Sequence, residues 1–288
     1  MPHDIEQQIL LACQLEATAR KPGNVHPAAS FDDLCYDDLI SSADVVAPLL
    51  AQTQQMGVGQ TILAAVQSTR EQVGGNSNLG IILLLTPLAA VPREESLPAG
   101  IAGVLNSLTQ EDAALVYRAI RLANPGGMGQ VGTDDISTDP LGTLLEVMRL
   151  AADRDSIAMQ YATGFELVLK TGVSLLADEI DFAQHWEEAV IRLHLTLMAR
   201  CPDTLIARKR GTGEARQSAE LASGVIAAGW PATRTGHDQL VKLDCWLREE
   251  GHARNPGTTA DLVAASLFAV MRDRRVEPPP FEQIVIDC

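Results

Sequence analysis

The apolar residues follow helical spacing along most of the chain. Ile5, Ile9 and Ala12 recur at intervals of four and three residues, behind Asp4 as a candidate N-cap. The same spacing over residues 39–47 ends near Pro48, which predicts a bend or an end of that helix. Nine further windows follow the pattern: 59–73, 78–91, 110–123, 140–152, 157–170, 184–200, 213–228, 235–249 and 258–274. The sequence therefore predicts an all-α fold of about ten helices, with residues 1–288 forming a single compact domain.

Local signals refine the end of the chain. Thr258 to Asp261 reads as a capping box that opens the last long helix. Only residues 284–286 have the composition of a strand, and no partner strand is evident. Neither an internal repeat nor a long linker interrupts the chain.

Charge and composition exclude several classes of protein. The chain carries 22 Lys and Arg against 37 Asp and Glu, a net charge of −15, which argues against a general nucleic-acid binder. Its five cysteines are scattered without a CxxC pair, as expected for reduced thiols in the cytoplasm. Because there is no signal-peptide pattern and the longest apolar run, residues 80–91, is too short to span a bilayer, we expect a cytoplasmic protein without a membrane anchor.

The most basic stretch is a candidate polyphosphate site. Arg208, Lys209 and Arg210 precede Gly211, and the helix predicted from residue 213 offers backbone N–H groups to anionic oxygens. The spacing is not that of a P-loop. A solvated basic turn before a helix is the alternative interpretation.

A second helix-opening loop carries Gly257, Thr258 and Asp261. These residues suit phosphate oxygens, or Mg²⁺ held through Asp261, since Mg²⁺ prefers few carboxylates together with substrate phosphates. The alternative is that Thr258 and Asp261 only cap the helix.

Three other segments offer carboxylates, a cation or amides. Glu16 and Lys21 flank the end of the first helix, where a cation also complements the helix dipole without any ligand. Acidic pairs that include Asp33 and Asp38 are consistent with a metal site or a general base, or with a solvated acidic face. Asn76 and Asn78 precede an apolar helix, where their side chains also suit turns and caps.

Together, in their order along the chain, these segments resemble the triphosphoribosyl-dephospho-CoA synthase family. The resemblance spans about residues 10–272 and is carried by these motifs: Glu16 with Lys21-Pro22-Gly23, Asp33 with Asp38-Leu39-Ile40-Ser41-Ser42-Ala43, Asn76-x-Asn78-x-Gly80, Asp203-Thr204 with Arg210-Gly211, and Asn255-Pro256-Gly257-x-x-Ala260-Asp261-Leu262. That family is all-helical. It joins the triphosphoribosyl part of ATP to the 2′-hydroxyl of 3′-dephospho-CoA and releases adenine, which makes a prosthetic-group precursor for an acyl carrier subunit.

The resemblance implies roles for the candidate residues. Arg208, Lys209 and Arg210 are expected to bind the triphosphate with help from Lys21, and Asn76 and Asn78 to orient ribose or phosphate. Asp33, Asp38 and Asp261 are expected to serve as metal ligands or as the base, with Glu16 as a further catalytic carboxylate. Gly211, Gly257 and Thr258 belong to the expected nucleotide site. The expected partners are ATP, Mg²⁺ and 3′-dephospho-CoA or a related acceptor, with a homo-oligomer and an acyl carrier partner left open.

Two departures from the family pattern concern substrate choice. Members that serve citrate lyase tend to have histidine and lysine where this chain has Asn78 and Leu79, and the basic stretch reads Arg-Lys-Arg-Gly-Thr-Gly instead of ending in Arg-Gly-Gly. The alternatives are an ATP-dependent ribosyl or phosphoryl transferase acting on another acceptor, for instance in a one-carbon or pterin cofactor pathway, and a non-enzymatic helical nucleotide-binding module.

Overall fold

The computed structural model describes residues 4–74, 78–124, 140–280 and 284. These residues form fifteen α-helices: α1 (Ile5–Thr18), α2 (Tyr36–Leu50), α3 (Thr53–Met56), α4 (Val58–Val73), α5 (Leu79–Ala90), α6 (Leu97–Ser107), α7 (Gln110–Ala123), α8 (Leu144–Ala151), α9 (Ser156–Thr163), α10 (Val173–Ala177), α11 (Phe182–Arg200), α12 (Thr204–Arg210), α13 (Thr212–Ala227), α14 (Arg234–Arg248) and α15 (Gly257–Arg272). A π-helical segment, Leu167–Gly172, joins α9 to α10. Within the described ranges there is no strand, only two isolated β-bridges, so the all-α prediction is confirmed.

Each predicted window falls on a helix, but the window 157–170 is divided, because α9 ends at Thr163 and the π-helical segment begins at Leu167. The predicted number of about ten helices is too low. The α3, α6, α10 and α12 helices were not predicted, because they are short or, in α6, contain proline and glycines. The α1 helix begins behind Asp4, whose carboxylate accepts the Gln7 backbone N–H at 2.9 Å, as predicted. Among the described helices, none is both long enough and apolar enough to cross a membrane.

Three local predictions need correction or comment. Pro48 does not end α2, because the helix continues through it to Leu50. The capping box at Thr258 to Asp261 is wrong: α15 begins at Gly257, behind Pro256, so Thr258 and Asp261 lie inside its first turns. The predicted strand at 284–286 lies outside the described residues except for Ile284, which is buried.

Two buried apolar clusters form the interior. The larger one surrounds α5 and α15, in which residues Ile81–Ala89 and nearly all of the Leu262–Arg272 segment are buried. A helix that is apolar on every side belongs in a protein interior, which explains the central place of α5. The smaller cluster joins the second half of α11 to α12, α13 and α14. The N-terminal ends of α5 and α15 meet where Gly80 faces Asp261, and the first turn of α15 packs on α12.

Candidate functional site

The first turns of α9, α12 and α15 meet at one place. The hydroxyl groups of Ser156 and Thr204 are 3.2 Å apart, and Thr204 donates to the hydroxyl of Thr258 at 3.4 Å. Backbone N–H groups at helix N-termini favour anions. The hydrogen bond from Thr204 places Thr258, which was predicted to bind nucleotide, at this junction. The Thr258 side chain is buried there.

Asp203 fastens α12 to α15. Its buried carboxylate caps α12 through the backbone N–H groups of Leu205 and Ile206, at 2.8 and 3.0 Å. The other oxygen accepts the backbone N–H and the hydroxyl of Thr259, at 2.7 and 2.8 Å. Burial raises the pKa of Asp203 despite these hydrogen bonds. The carboxylate therefore fixes the position of the first turn of α15.

Asp261 lies against the backbone of Gly80 at the start of α5. A Cβ atom at Gly80 would stand 2.0 Å from Oδ2 of Asp261, so only glycine leaves room for this carboxyl group. Burial, followed by the negative charges of Glu16, Asp203 and Asp155, raises the pKa of Asp261 well above its usual range. Its environment therefore disfavours the charged carboxylate and favours the protonated carboxyl group.

Glu16 lies in a different electrostatic setting. Nζ of Lys21 is 3.1 Å from Oε1 of Glu16, and both side chains are buried. The ammonium also donates to the main-chain carbonyls of Glu16 and Ala19. Burial and the charge of Lys21 hold the pKa of the buried His194 well below its usual range, so this neighbouring imidazole is neutral. Lys21 therefore forms a buried ion pair with Glu16.

A narrow crevice connects Glu16 to Asn78. Cys13, Leu39 and Ile81 are among the other lining residues. Asn78 is buried at the N-cap position of α5, and its side chain makes no capping hydrogen bond. The structure therefore brings Glu16 and Asn78 to one crevice, whereas Asn76 lies outside the described residues.

The basic stretch lies on a helix, not in the predicted turn. Arg208, Lys209 and Arg210 form the last turn of α12, where cations complement the helix dipole. Nη1 of Arg208 is 3.0 Å from Oδ2 of Asp155, and Arg208 also acts electrostatically on Asp261. Lys209 is half-buried, and burial lowers its pKa.

Arg210 belongs to a separate ion-pair network. Its guanidinium is paired with Glu214 and Glu250, at 3.0 and 2.9 Å, and Arg254 contacts the same two carboxylates. These carboxylates compensate the charge of Arg210. Of the three predicted cations, Arg208 is the one that acts on Asp261.

The predicted glycines have packing or backbone roles. Gly211 precedes α13 with a φ of 91°, a conformation that favours glycine, although a Cβ would meet open space there. At Gly257 a Cβ would stand 2.7 Å from Leu205, so this glycine allows α12 to pack closely on α15.

The two predicted aspartates of the α2 region lie elsewhere. Asp38 accepts the Cys35 backbone N–H at 2.9 Å, which completes a capping box and accounts for this carboxylate structurally. Asp33 lies in an open pocket of about 500 Å³, where its Oδ1 is 2.5 Å from Nδ1 of His252. Asp33 therefore lines a different pocket from Glu16 and Asn78.

Two proline-glycine turns of the sequence, at residues 22–23 and 256–257, meet each other. A Cβ at Gly23, whose φ is 75°, would stand 2.6 Å from Leu247 and 3.0 Å from Pro256. Beside this contact, the Asn24 amide donates to the Asn255 side-chain oxygen at 2.6 Å. The turn that carries Lys21 is thereby attached to the turn that opens α15.

Comparison with known proteins identifies the family. Residues 2–278 match the family described as ATP:dephospho-CoA triphosphoribosyl transferase. The chain belongs to this family. A solved structure from Archaeoglobus fulgidus, provisionally assigned as a triphosphoribosyl-dephospho-CoA synthase, aligns with a TM-score of 0.60 and 24% identity, covering 81% of this chain and 98% of that one. At that identity the likeness supports the fold. No protein of curated function matches significantly in sequence.

Family membership makes the chain a transferase with ATP and dephospho-CoA as its substrates, which confirms the resemblance read from the sequence. Sequence reasoning missed Asp155, which pairs with Arg208 at 3.0 Å beside Asp261. Asp155 stands immediately before Ser156 and has the signature of an N-cap, the one signal that pointed to it.

The predicted metal site has no counterpart among the described side chains of the transferase. Among the residues that the structure describes, no group of three or more His, Cys, Asp or Glu side chains could hold a metal ion. These residues do not fit a metal centre built from protein ligands alone, and Mg²⁺ stays a prediction.

Proposed function

We propose that this transferase joins C1′ of the ATP ribose to the 2′-hydroxyl of dephospho-CoA between Glu16 and Asp261. Glu16 accepts the proton of the 2′-hydroxyl group while the oxygen of that hydroxyl group bonds to C1′. The bond from C1′ to the adenine nitrogen breaks, its electron pair leaves with adenine, and Asp261 donates a proton to the departing ring. Proton exchange with water then resets the two carboxyl groups.

The observation that carries this proposal is the contrast between the two carboxyl groups. Glu16 is paired with Lys21 at 3.1 Å, whereas Asp261 lies among carboxylates that raise its pKa. One carboxylate paired with a cation and a second carboxyl group with a raised pKa are typical of a base and an acid that act in one reaction. The surrounding negative charge also suits the positive character that develops at C1′.

The other residues bind and position. Arg208 and, next to it, Lys209 are proposed to hold phosphate oxygens, since Arg208 already acts on Asp261. Lys21 is a positioning residue for Glu16, because its ammonium is fully buried. Asn78, in the crevice with Glu16, is proposed to orient a ribose hydroxyl group. Mg²⁺ would enter the site on the phosphates of ATP.

A second acceptor is the alternative within the same scaffold. Asn78 is buried in the crevice with Glu16, at the position where the family pattern has a histidine. An uncharged amide at this position supports an acceptor whose groups near the reacting ribose differ from those of dephospho-CoA. Adenine release with another nucleotide, but not with dephospho-CoA, would favour this alternative.

The test separates the acid from the base. Asp261→Asn and Glu16→Gln are each expected to lower kcat by about 10²- to 10⁴-fold, as is usual for acid and base groups. An ATP analogue methylated at N7 of adenine carries a leaving group that needs no proton. This donor should restore activity to Asp261→Asn and leave Glu16→Gln inactive.

A matched control is Glu166→Gln, in an exposed pair with Lys170 at 2.8 Å, which should keep full activity. The kcat of the unaltered enzyme should also fall as pH rises through the raised pKa of Asp261, and this decline should be missing in Asp261→Asn. Equal rescue of both variants by the methylated donor would refute the division of roles.

A further inference from the structure

The open pocket that contains Asp33 has no role in the reaction described above. Its volume is about 500 Å³, within the range of small-molecule sites. Residues 30–33, between α1 and α2, form one wall, and residues 248–252, at the end of α14, form the other. We call it the Phe31 pocket.

The walls of the Phe31 pocket combine an aromatic surface with hydrogen-bond acceptors. The Arg248 guanidinium is 5.6 Å from the centre of the Phe31 ring, and the His252 ring meets the same ring edge-on at 5.8 Å. Asp32 and Asp33 add two carboxylates. Glu250 also lines the pocket, but Arg210 and Arg254 already pair with it, so Asp32 and Asp33 are the carboxylates that face Arg248 and His252. This balance disfavours a polyphosphate and suits a neutral ligand that carries N–H and O–H groups.

Two cations, Lys209 and Arg208, lie between this pocket and Asp261. Nζ of Lys209 donates to the His252 carbonyl at 3.5 Å, and Lys209 is in electrostatic range of Asp33 on one side and Arg208 on the other. Arg208 in turn acts on Asp261. The order is therefore the proposed acid Asp261, the two cations Arg208 and Lys209, and then the Phe31 pocket.

We propose that the Phe31 pocket holds the pantetheine arm of the acceptor, with the acceptor diphosphate lying on Lys209 and Arg208. The inference rests on the proposed function, and it matches the order of groups in dephospho-CoA. The reacting ribose must lie at Glu16 and Asp261, the diphosphate follows at its 5′ carbon, and the pantetheine chain with its amides and hydroxyl group comes last. The methyl groups of that chain would contact Phe31, and its N–H and O–H groups would donate to the carboxylates.

Other parts of the substrates fit the pocket less well. The triphosphate of ATP would meet the carboxylates of Asp32 and Asp33 there. The adenine ring of either substrate is attached to a ribose that takes part in the reaction, so it stays beside Glu16 and Asp261. The pantetheine chain is the one neutral part of the two substrates that is free to extend past the cations.

The test measures binding by calorimetry and does not depend on turnover. Phe31→Ala should weaken dephospho-CoA about tenfold and leave ADP, which has the same nucleoside and diphosphate without pantetheine, unchanged within twofold. ATP affinity should also stay unchanged. Leu150→Ala, the truncation of an apolar side chain that is 64% exposed, is the control and should bind all three ligands normally. Asp33→Asn is the second variant, with a smaller loss expected for dephospho-CoA alone.

Each outcome decides. Equal weakening of ADP and dephospho-CoA would place a nucleoside in the pocket, weakening of ATP would place the donor there, and no change in either variant would leave the pocket without an acceptor role. All three results overturn the inference, as does failure of dephospho-CoA to bind the unaltered protein. If dephospho-CoA binds with the expected dependence on Phe31 but no adenine is released, the pocket assignment stands and the proposed function fails.

Discussion

Replacing Gly80 by alanine tests the placement of Asp261. The new Cβ would stand 2.0 Å from Oδ2 and 2.3 Å from Cγ of Asp261, whereas ordinary contacts begin near 3.4 Å. The carboxyl group must therefore move by about 1.4 Å, the difference between 3.4 and 2.0 Å. Because a misplacement of about 1 Å can reduce a rate about 100-fold, we expect kcat to fall by that factor, or about 2.7 kcal/mol in activation free energy.

The stability of Gly80→Ala should change much less than its activity. Overpacking costs about 1 to 3 kcal/mol, and the gain in helix propensity offsets up to about 1 kcal/mol of that. Adenine release and urea denaturation of the same preparation measure the two effects. Gly103→Ala in α6 is the control, because a Cβ there meets nothing within 4 Å. It should keep full activity. A Gly80→Ala enzyme with unaltered kcat would refute the role of Asp261.

The remaining predictions concern stability. The pKa of Asp261 is raised in the folded state, so the native protein holds a proton that the unfolded chain releases. The free energy of unfolding therefore falls as pH rises towards the raised pKa. Asp261→Asn should remove this fall, as measured by urea denaturation at several pH values. Burial and nearby positive charges lower the pKa of His26 to about 4, so stability should fall as pH drops from 6.5 to about 4, and less so in His26→Gln. Asp203→Ala should cost about 3 kcal/mol in urea denaturation, since a helix cap is lost and the buried Thr259 N–H is left unpaired. Asp4→Ala, which removes one exposed cap hydrogen bond, should cost only about 1 kcal/mol.

Helical periodicity predicted the long helices well because their buried faces are continuous. It failed at α12, where a seven-residue helix ends in three cations and resembles a basic turn. It also misplaced the start of α15, since Thr258 and Asp261 have the residue types of caps but lie inside the helix. Short helices gain most of their stability from tertiary packing, which local sequence does not encode.

The candidate site was predictable in its parts and not in its arrangement. Glu16, Asn78 and Asp261 stood in motifs, but only the fold places Gly80 against Asp261 and fixes Lys21 on Glu16. Distances between residues some 60 to 250 positions apart depend on helix packing. The same packing sends Arg210 to Glu214 and Glu250, although the sequence presents Arg210 as equivalent to Arg208.

The most direct test of the account is the release of adenine from ATP by the purified protein, with and without dephospho-CoA, followed by chromatography and mass spectrometry of the products. The account predicts adenine only when the acceptor is present, in equal amount with a product heavier than dephospho-CoA by one triphosphoribosyl group. Adenine formed without the acceptor, or no adenine under any condition while both substrates bind, would contradict it.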